Sequence, residues 1–103
     1  MNERITYKGP VWRWTGNSNG AWHFVTIDGE AGESLTAIAL MRRLEGAGRG
    51  FGSLRVVVKL GDTIWQTSVF PQKGAGWMLP VRKAVLRAED IVEGDQVALE
   101  VDV

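Results

Sequence analysis

The sequence predicts a mainly β fold: a small closed or split β-barrel with one helix and one short helical turn. Three observations carry this reading. Short runs of alternating apolar and polar residues recur along most of the chain, one segment alone breaks to a helical period, and Gly, Pro, Asn and Asp clusters separate the runs. At 103 residues the chain predicts a single domain with one modest core.

Ile5–Trp14 alternates as a strand, with Pro10 marking a sheet edge or a bulge. Gly16-Asn17-Ser18-Asn19-Gly20 is a turn by composition. Ala21–Ile27 is a second strand, with Trp22, Phe24 and Thr26 on one face and His23, Val25 and Ile27 on the other. Both faces are apolar, which predicts cover on both sides. Gly29–Gly32 interrupts the period. Glu33–Leu44 then reads as a helix lying within Gly32–Glu45, because Leu35, Ile38, Ala39 and Leu44 do not alternate. Glu30 and Glu33 near its start and Arg42-Arg43 near its end suit the helix dipole, and Gly46 is a natural stop.

Leu54–Leu60 points Leu54, Val56, Val58 and Leu60 inward, with Arg55, Lys59 and the exceptional Val57 outward. Gly61-Asp62 is a hairpin turn, and Thr63–Phe70 returns as a strand closed by Pro71. Trp77–Val81 and Gln96–Val103 complete six strands, with a helical turn between them inside Arg82–Asp90. The inward faces predict a core containing Val56, Val58, Phe70, Leu79, Val97 and Leu99. A weak internal echo links Trp22–Ile27, helix and strand with Trp77–Val81, helical turn and strand, which suggests two halves about a pseudo-two-fold.

Composition narrows the function classes. Twelve basic and twelve acidic residues balance, which weighs against a general polyanion binder. There is no Cys, so disulfides and thiolate metal sites are excluded. The N-terminal stretch lacks the apolar segment of a signal peptide, and the longest apolar run, Ala37–Met41, falls far short of the ~20 residues of a membrane span. A cytoplasmic location with no membrane association is the expectation.

The segment Gly46–Gly52, GAGRGFG, is glycine-rich but follows a helix and precedes a strand, the reverse of a dinucleotide fingerprint. It reads as a connecting loop whose tip residues, Arg49 and Phe51, are candidates for ligand contact. His23 is the single histidine and has no partner placed by the sequence, so no catalytic residue is assigned and a non-enzymatic role is expected. Glu89, Asp90, Glu93 and Asp95 lack calcium-loop spacing and read as a solvated cap, so no metal and no cofactor is implied. Five Trp is a high load for this length; such rings plug barrel ends or line ligand sites.

Thr67–Val103 reads as strand, turn, strand, helical turn, Gly-Asp turn, strand, with Leu79-Pro80-Val81 and Glu93-Gly94-Asp95 framing the basic segment Arg82–Arg87. That order resembles the swapped-hairpin half of AbrB/MazE-type barrels. Together with Trp22–Ile27 and Gly52-Ser53-Leu54-Arg55-Val56, it makes the whole chain resemble DUF1905, a small bacterial family of unknown function. The resemblance implies a double-split, AbrB-like barrel built about a pseudo-two-fold within one chain, and no assigned activity. The chain departs from the family pattern at Ile27-Asp28-Gly29, where a Pro is usual, and at Val85-Leu86-Arg87, where Val-Arg is usual.

The leading functional expectation is a binding module for a small ligand or protein partner. Its candidate ligand residues are Trp65, Phe70, Trp77, Arg82, Lys83 and Arg87, with Arg49 and Phe51. The alternative is a nucleic-acid binder related to AbrB-type regulators through the basic segment. Against strong duplex DNA binding, the four acids that follow oppose its field within a Debye length of about 8 Å. A monomer or weak dimer is expected.

Overall fold

The computed structural model describes residues 3–15, 22–46, 52–74 and 76–103. Six strands and two helices follow the chain as β1 (Arg4–Trp14), β2 (Trp22–Ile27), α1 (Gly29–Leu44), β3 (Leu54–Leu60), β4 (Thr63–Gln72), β5 (Gly76–Val81), α2 (Lys83–Ala88) and β6 (Gln96–Asp102). The strands close into an antiparallel barrel in the order β1-β2-β5-β4-β3-β6. Exchanging β1–β2–α1–β3 for β4–β5–α2–β6 swaps β1–β2 with β4–β5 and β1–β6 with β3–β4 and leaves β2–β5 and β3–β6 in place, so the internal echo corresponds to a pseudo-two-fold in the topology.

The barrel is split at two equivalent places. β1 pairs with β6 over Arg4–Pro10 and then with β2 over Val11–Trp14. β4 likewise pairs with β3 over Thr63–Val69 and with β5 over Phe70–Gln72. A proline stands at each handover, Pro10 and Pro71, where the ladder changes partner and a missing N–H is least costly. Pro10 therefore marks neither a free edge nor the end of β1, and β4 runs through Pro71 to Gln72 rather than stopping before it. Side chains bridge the splits: the Tyr7 hydroxyl donates to the Asp28 carboxylate at 2.7 Å, and the Arg82 guanidinium donates to the Gln66 carbonyl at 3.3 Å.

Alternation fixes what lies inside. Leu54, Val56, Val58 and Leu60 are buried along β3, facing Val97, Leu99 and Val101 of β6 and Val25, Ile27, Leu79 and Val81 of β2 and β5. Five of the six predicted core residues are buried; Phe70 is the exception, 43% exposed, because Trp65 and Val69 set the inward phase of β4 and Phe70 is one residue out of step.

The helices cover the two ends of the barrel and leave its sides free. Ile27 pairs with Trp77, so α1 leaves β2 at the end where β5 begins, while α2 leaves β5 at the opposite end, where Val81 pairs with His23. α1 starts four residues before the predicted Glu33, at Gly29. Its first turn lies so close to β2 that a side chain on Gly32 would meet the Ile27 carbonyl oxygen at 2.7 Å. Gly76, at φ +81°, faces the same carbonyl from β5. Leu35 is buried under the helix, and the Trp77 indole N–H donates to Thr36 Oγ1 at 3.0 Å, seating α1 on the barrel end. At the other end Val85 and Leu86 are buried, and Glu89 accepts from the Thr63 hydroxyl at 2.6 Å, locking α2 to the β3–β4 hairpin.

Candidate binding face

The sequence-predicted aromatic residues divide between the inside and the outside of the barrel. Trp65 and Trp77 are 8% and 4% exposed and belong to the core; Trp65 packs inward opposite Val58, its indole N–H buried and without an acceptor among the described residues. The hollow beside Trp77, lined by Thr26, Asp28, Glu33 and Thr36, carries acids and no cation. Phe70 lies on the outer surface. These three rings therefore do not share one groove.

Arg82, Lys83 and Arg87 are all exposed around α2. Among the described residues, Arg82 alone of these makes a side-chain hydrogen bond, to the Gln66 carbonyl on β4. The acids that follow are not merely a solvated cap: Glu89 binds Thr63 and the Asp62 amide, and Asp95 accepts from the Val92 amide at 3.0 Å. Arg49 and Phe51 lie outside the described residues.

The structure brings together a different set of rings, on the outer face of β1, β2 and β5. Trp12 and Trp14 occupy successive outward positions of β1, and Trp22 and Phe24 do so on β2. The register sets Trp14 opposite Trp22 and Trp12 opposite Phe24. The ladder continues from Phe24 to Pro80 and from Thr26 to Met78, and Met78 in turn faces Phe70 of β4. The Trp12 and Phe24 rings pack at 5.0 Å between centroids with 30° between planes. The Trp12 indole N–H donates to Thr26 Oγ1 at 2.8 Å, which fixes that ring on the sheet. Trp14 and Trp22 remain 42% and 57% exposed.

This arrangement corrects the expectation that both faces of β2 are covered. In a closed barrel only the inward face of a strand meets the core, and both helices here sit at the barrel ends. The apolar outer face is left to solvent. The signal was present in the sequence as Trp12-x-Trp14 and Trp22-x-Phe24, the two-residue spacing that places rings on one side of a strand.

The strands of this face carry no carboxylate, while the turn holding the exposed Glu93 and Asp95 lies against β1 at Val11. β1, β2, β4 and β5 contain no Asp or Glu. Arg82 follows Val81, which pairs with His23, so it stands one register step on, level with Trp22. Arg55, outward on β3, pairs with Ser68, two residues from the Gln66 that Arg82 reaches. Among the described residues the ion pairs are confined to Arg4 with Glu100 and Asp102, and neither Arg55 nor Arg82 takes part in one. Arg4 holds the Asp102 carboxyl below its usual range by hydrogen bonding, and the nearby Tyr7 hydroxyl is raised by burial and by its bond to Asp28.

His23 is half-buried on the inward side of β2, between Arg13 and Val81 in the ladder. Gly16-Asn17-Ser18-Asn19-Gly20 has the Gly-x-Ser-x-Gly spacing of a nucleophile elbow, but that motif needs a strand-to-helix turn. Here it connects two antiparallel strands, and its residues lie outside those described. Among the described residues no group of three His, Cys, Asp or Glu is placed to hold a metal ion, and no helix is long and apolar enough to cross a membrane.

No curated protein matches the chain. A family model does, over residues 7–101, taking in β2 to β5, both helices and most of β1 and β6. The chain belongs to the family described as Domain of unknown function (DUF1905).

Proposed function

We propose that this domain is a non-enzymatic binding module whose working surface is the outer face of β1, β2 and β5. The ligand class that fits is anionic with flat apolar groups. The observation that carries the reading is the pairing of Trp14 with Trp22, both largely exposed, beside a fixed Trp12–Phe24 pair on strands that hold no carboxylate. Trp and Arg are enriched where binding energy concentrates, and exposed rings with no structural task at a sheet surface are an unusual cost for a stable monomer. Arg82 and Phe70 keep the ligand-contact role expected from the sequence, on this face and not at an open barrel end. Trp65 and Trp77 serve the core.

Strong duplex recognition is not part of this reading, because Lys83 and Arg87 sit on a six-residue helix followed closely by Asp90 and Glu93. The test is a titration of intrinsic tryptophan fluorescence with mononucleotides and aromatic carboxylates. A saturable change that disappears in a folded Trp14→Ala/Trp22→Ala double variant supports the reading. An unchanged response in that variant contradicts it.

A further inference from the structure

We infer that the ligand of this face is single-stranded nucleic acid, its bases stacking on Trp14, Trp22 and the Trp12–Phe24 pair and its phosphates directed to Arg82. The inference rests on the binding-module reading above and names its ligand.

Two features select this chemistry over other anions. The first is the spacing of the rings. Outward residues two apart on a strand stand about 6.8 Å from each other, twice the ~3.4 Å rise of stacked bases. A base pair stack cannot present its bases to such rings, whereas an extended single strand can part its bases and lay each one on a side chain. The second is the order of charge. The aromatic rows end at Arg82 on one side, level with Trp22. A phosphate chain running from β2 toward β5 meets rings first and the Arg82 guanidinium next, with no carboxylate on β2 or β5 to repel it. An acidic peptide has a charge for Arg82 but no succession of flat groups for the rings. An anionic membrane would find the rings held in the sheet face, with the Trp12 indole already bonded to Thr26.

The overall charge of zero weighs against general polyanion binding, so the proposal rests on where the charges lie. The acids are gathered at the helix ends, in the turns and on β6, where Glu100 and Asp102 engage Arg4.

The experiment is a fluorescence-anisotropy titration with labelled ten-nucleotide oligothymidylate and oligouridylate at low salt, compared with a duplex of equal length, polyglutamate and phosphatidylserine vesicles. The single strands should bind more tightly than the duplex and than either other anion. Trp22→Ala should weaken them by roughly 5- to 150-fold, the range for loss of one base–aromatic stack. Arg82→Gln should reduce the slope of log affinity against log salt by about 0.7, one single-strand phosphate contact. Lys59→Gln, on the outer face of β3, should leave affinity within about twofold. Equal binding of polyglutamate, or preference for vesicles or duplex, overturns the inference, as does single-strand binding indifferent to Trp22→Ala. If mononucleotides or aromatic carboxylates quench Trp14 and Trp22 but oligonucleotides do not compete, this inference fails and the binding-module reading stands. If nothing in either panel acts on those rings, both fail.

Discussion

Replacing Trp77 and Trp22 by alanine, one at a time, separates the two classes of tryptophan by stability. Trp77 is 4% exposed and its indole N–H is bonded to Thr36. Removing a ring that buries about 150–250 Å² forfeits roughly 4–6 kcal/mol at 25 cal/mol/Å². This agrees with the ~3–5 kcal/mol usual for Trp→Ala in a core. Trp22 is 57% exposed, so less than half of its area leaves water. On the same scale its loss costs no more than about 1–2 kcal/mol, once compaction of the unfolded chain is allowed for. Urea unfolding followed by circular dichroism gives both values, with the m-value checking that the transition remains two-state. Trp77→Ala should leave the domain barely folded or unfolded, and Trp22→Ala should shift the midpoint slightly. Equal costs for the two, or a cost below about 1 kcal/mol for Trp77→Ala, would refute the assignment of Trp77 to the core and Trp22 to the exposed outer face.

Leu99→Ala should cost about 2–5 kcal/mol in the same assay, because Leu99 is fully enclosed between β1 and β3; a loss under 0.5 kcal/mol would contradict the β6 face assignment. Gly76→Ala should cost more than Gly74→Ala. Both glycines have positive φ, worth about 1–2 kcal/mol against alanine, but only at Gly76 does the new carbon run into the Ile27 carbonyl. Equal thermal shifts for the two would disprove the close approach of β5 to the Ile27 carbonyl. Tyr7→Phe should cost about 0.5–1.5 kcal/mol for the lost bond to Asp28. Burial, aided by Asp28, raises the Tyr7 pKa above its ordinary 10.0, so its contribution is fully present below pH 10.0 and is lost as pH rises through the folded value. The variant's stability should therefore decline less steeply than the parent's in alkaline titration, and identical slopes would contradict this.

The sequence made the strands legible wherever only one phase of the alternation was apolar. β3 is the clear case, with Leu54, Val56, Val58 and Leu60 buried and the residues between them exposed. β4 was harder because both phases carry large apolar residues, Trp65 and Val69 on one and Ile64 and Phe70 on the other. No local period decides between them; pairing with β3 and β5 does. The start of α1 was obscured by Gly29 and Gly32, which weaken helix propensity but allow the helix to approach Ile27. The outer aromatic face was misread for a tertiary reason. Trp22 and Phe24 look like a strand covered on both sides, and what uncovers them is the placement of both helices at the barrel ends, which depends on the order of strands around the barrel.

The most direct measurement is a map of the tryptophan indole N–H signals by nuclear magnetic resonance while a ten-nucleotide oligothymidylate is added. The account predicts progressive, saturable shifts at Trp14 and Trp22, with a smaller shift at the fixed Trp12 and none at the enclosed Trp65 and Trp77. Shifts centred on Trp65 or Trp77, with Trp14 and Trp22 unmoved, would contradict it.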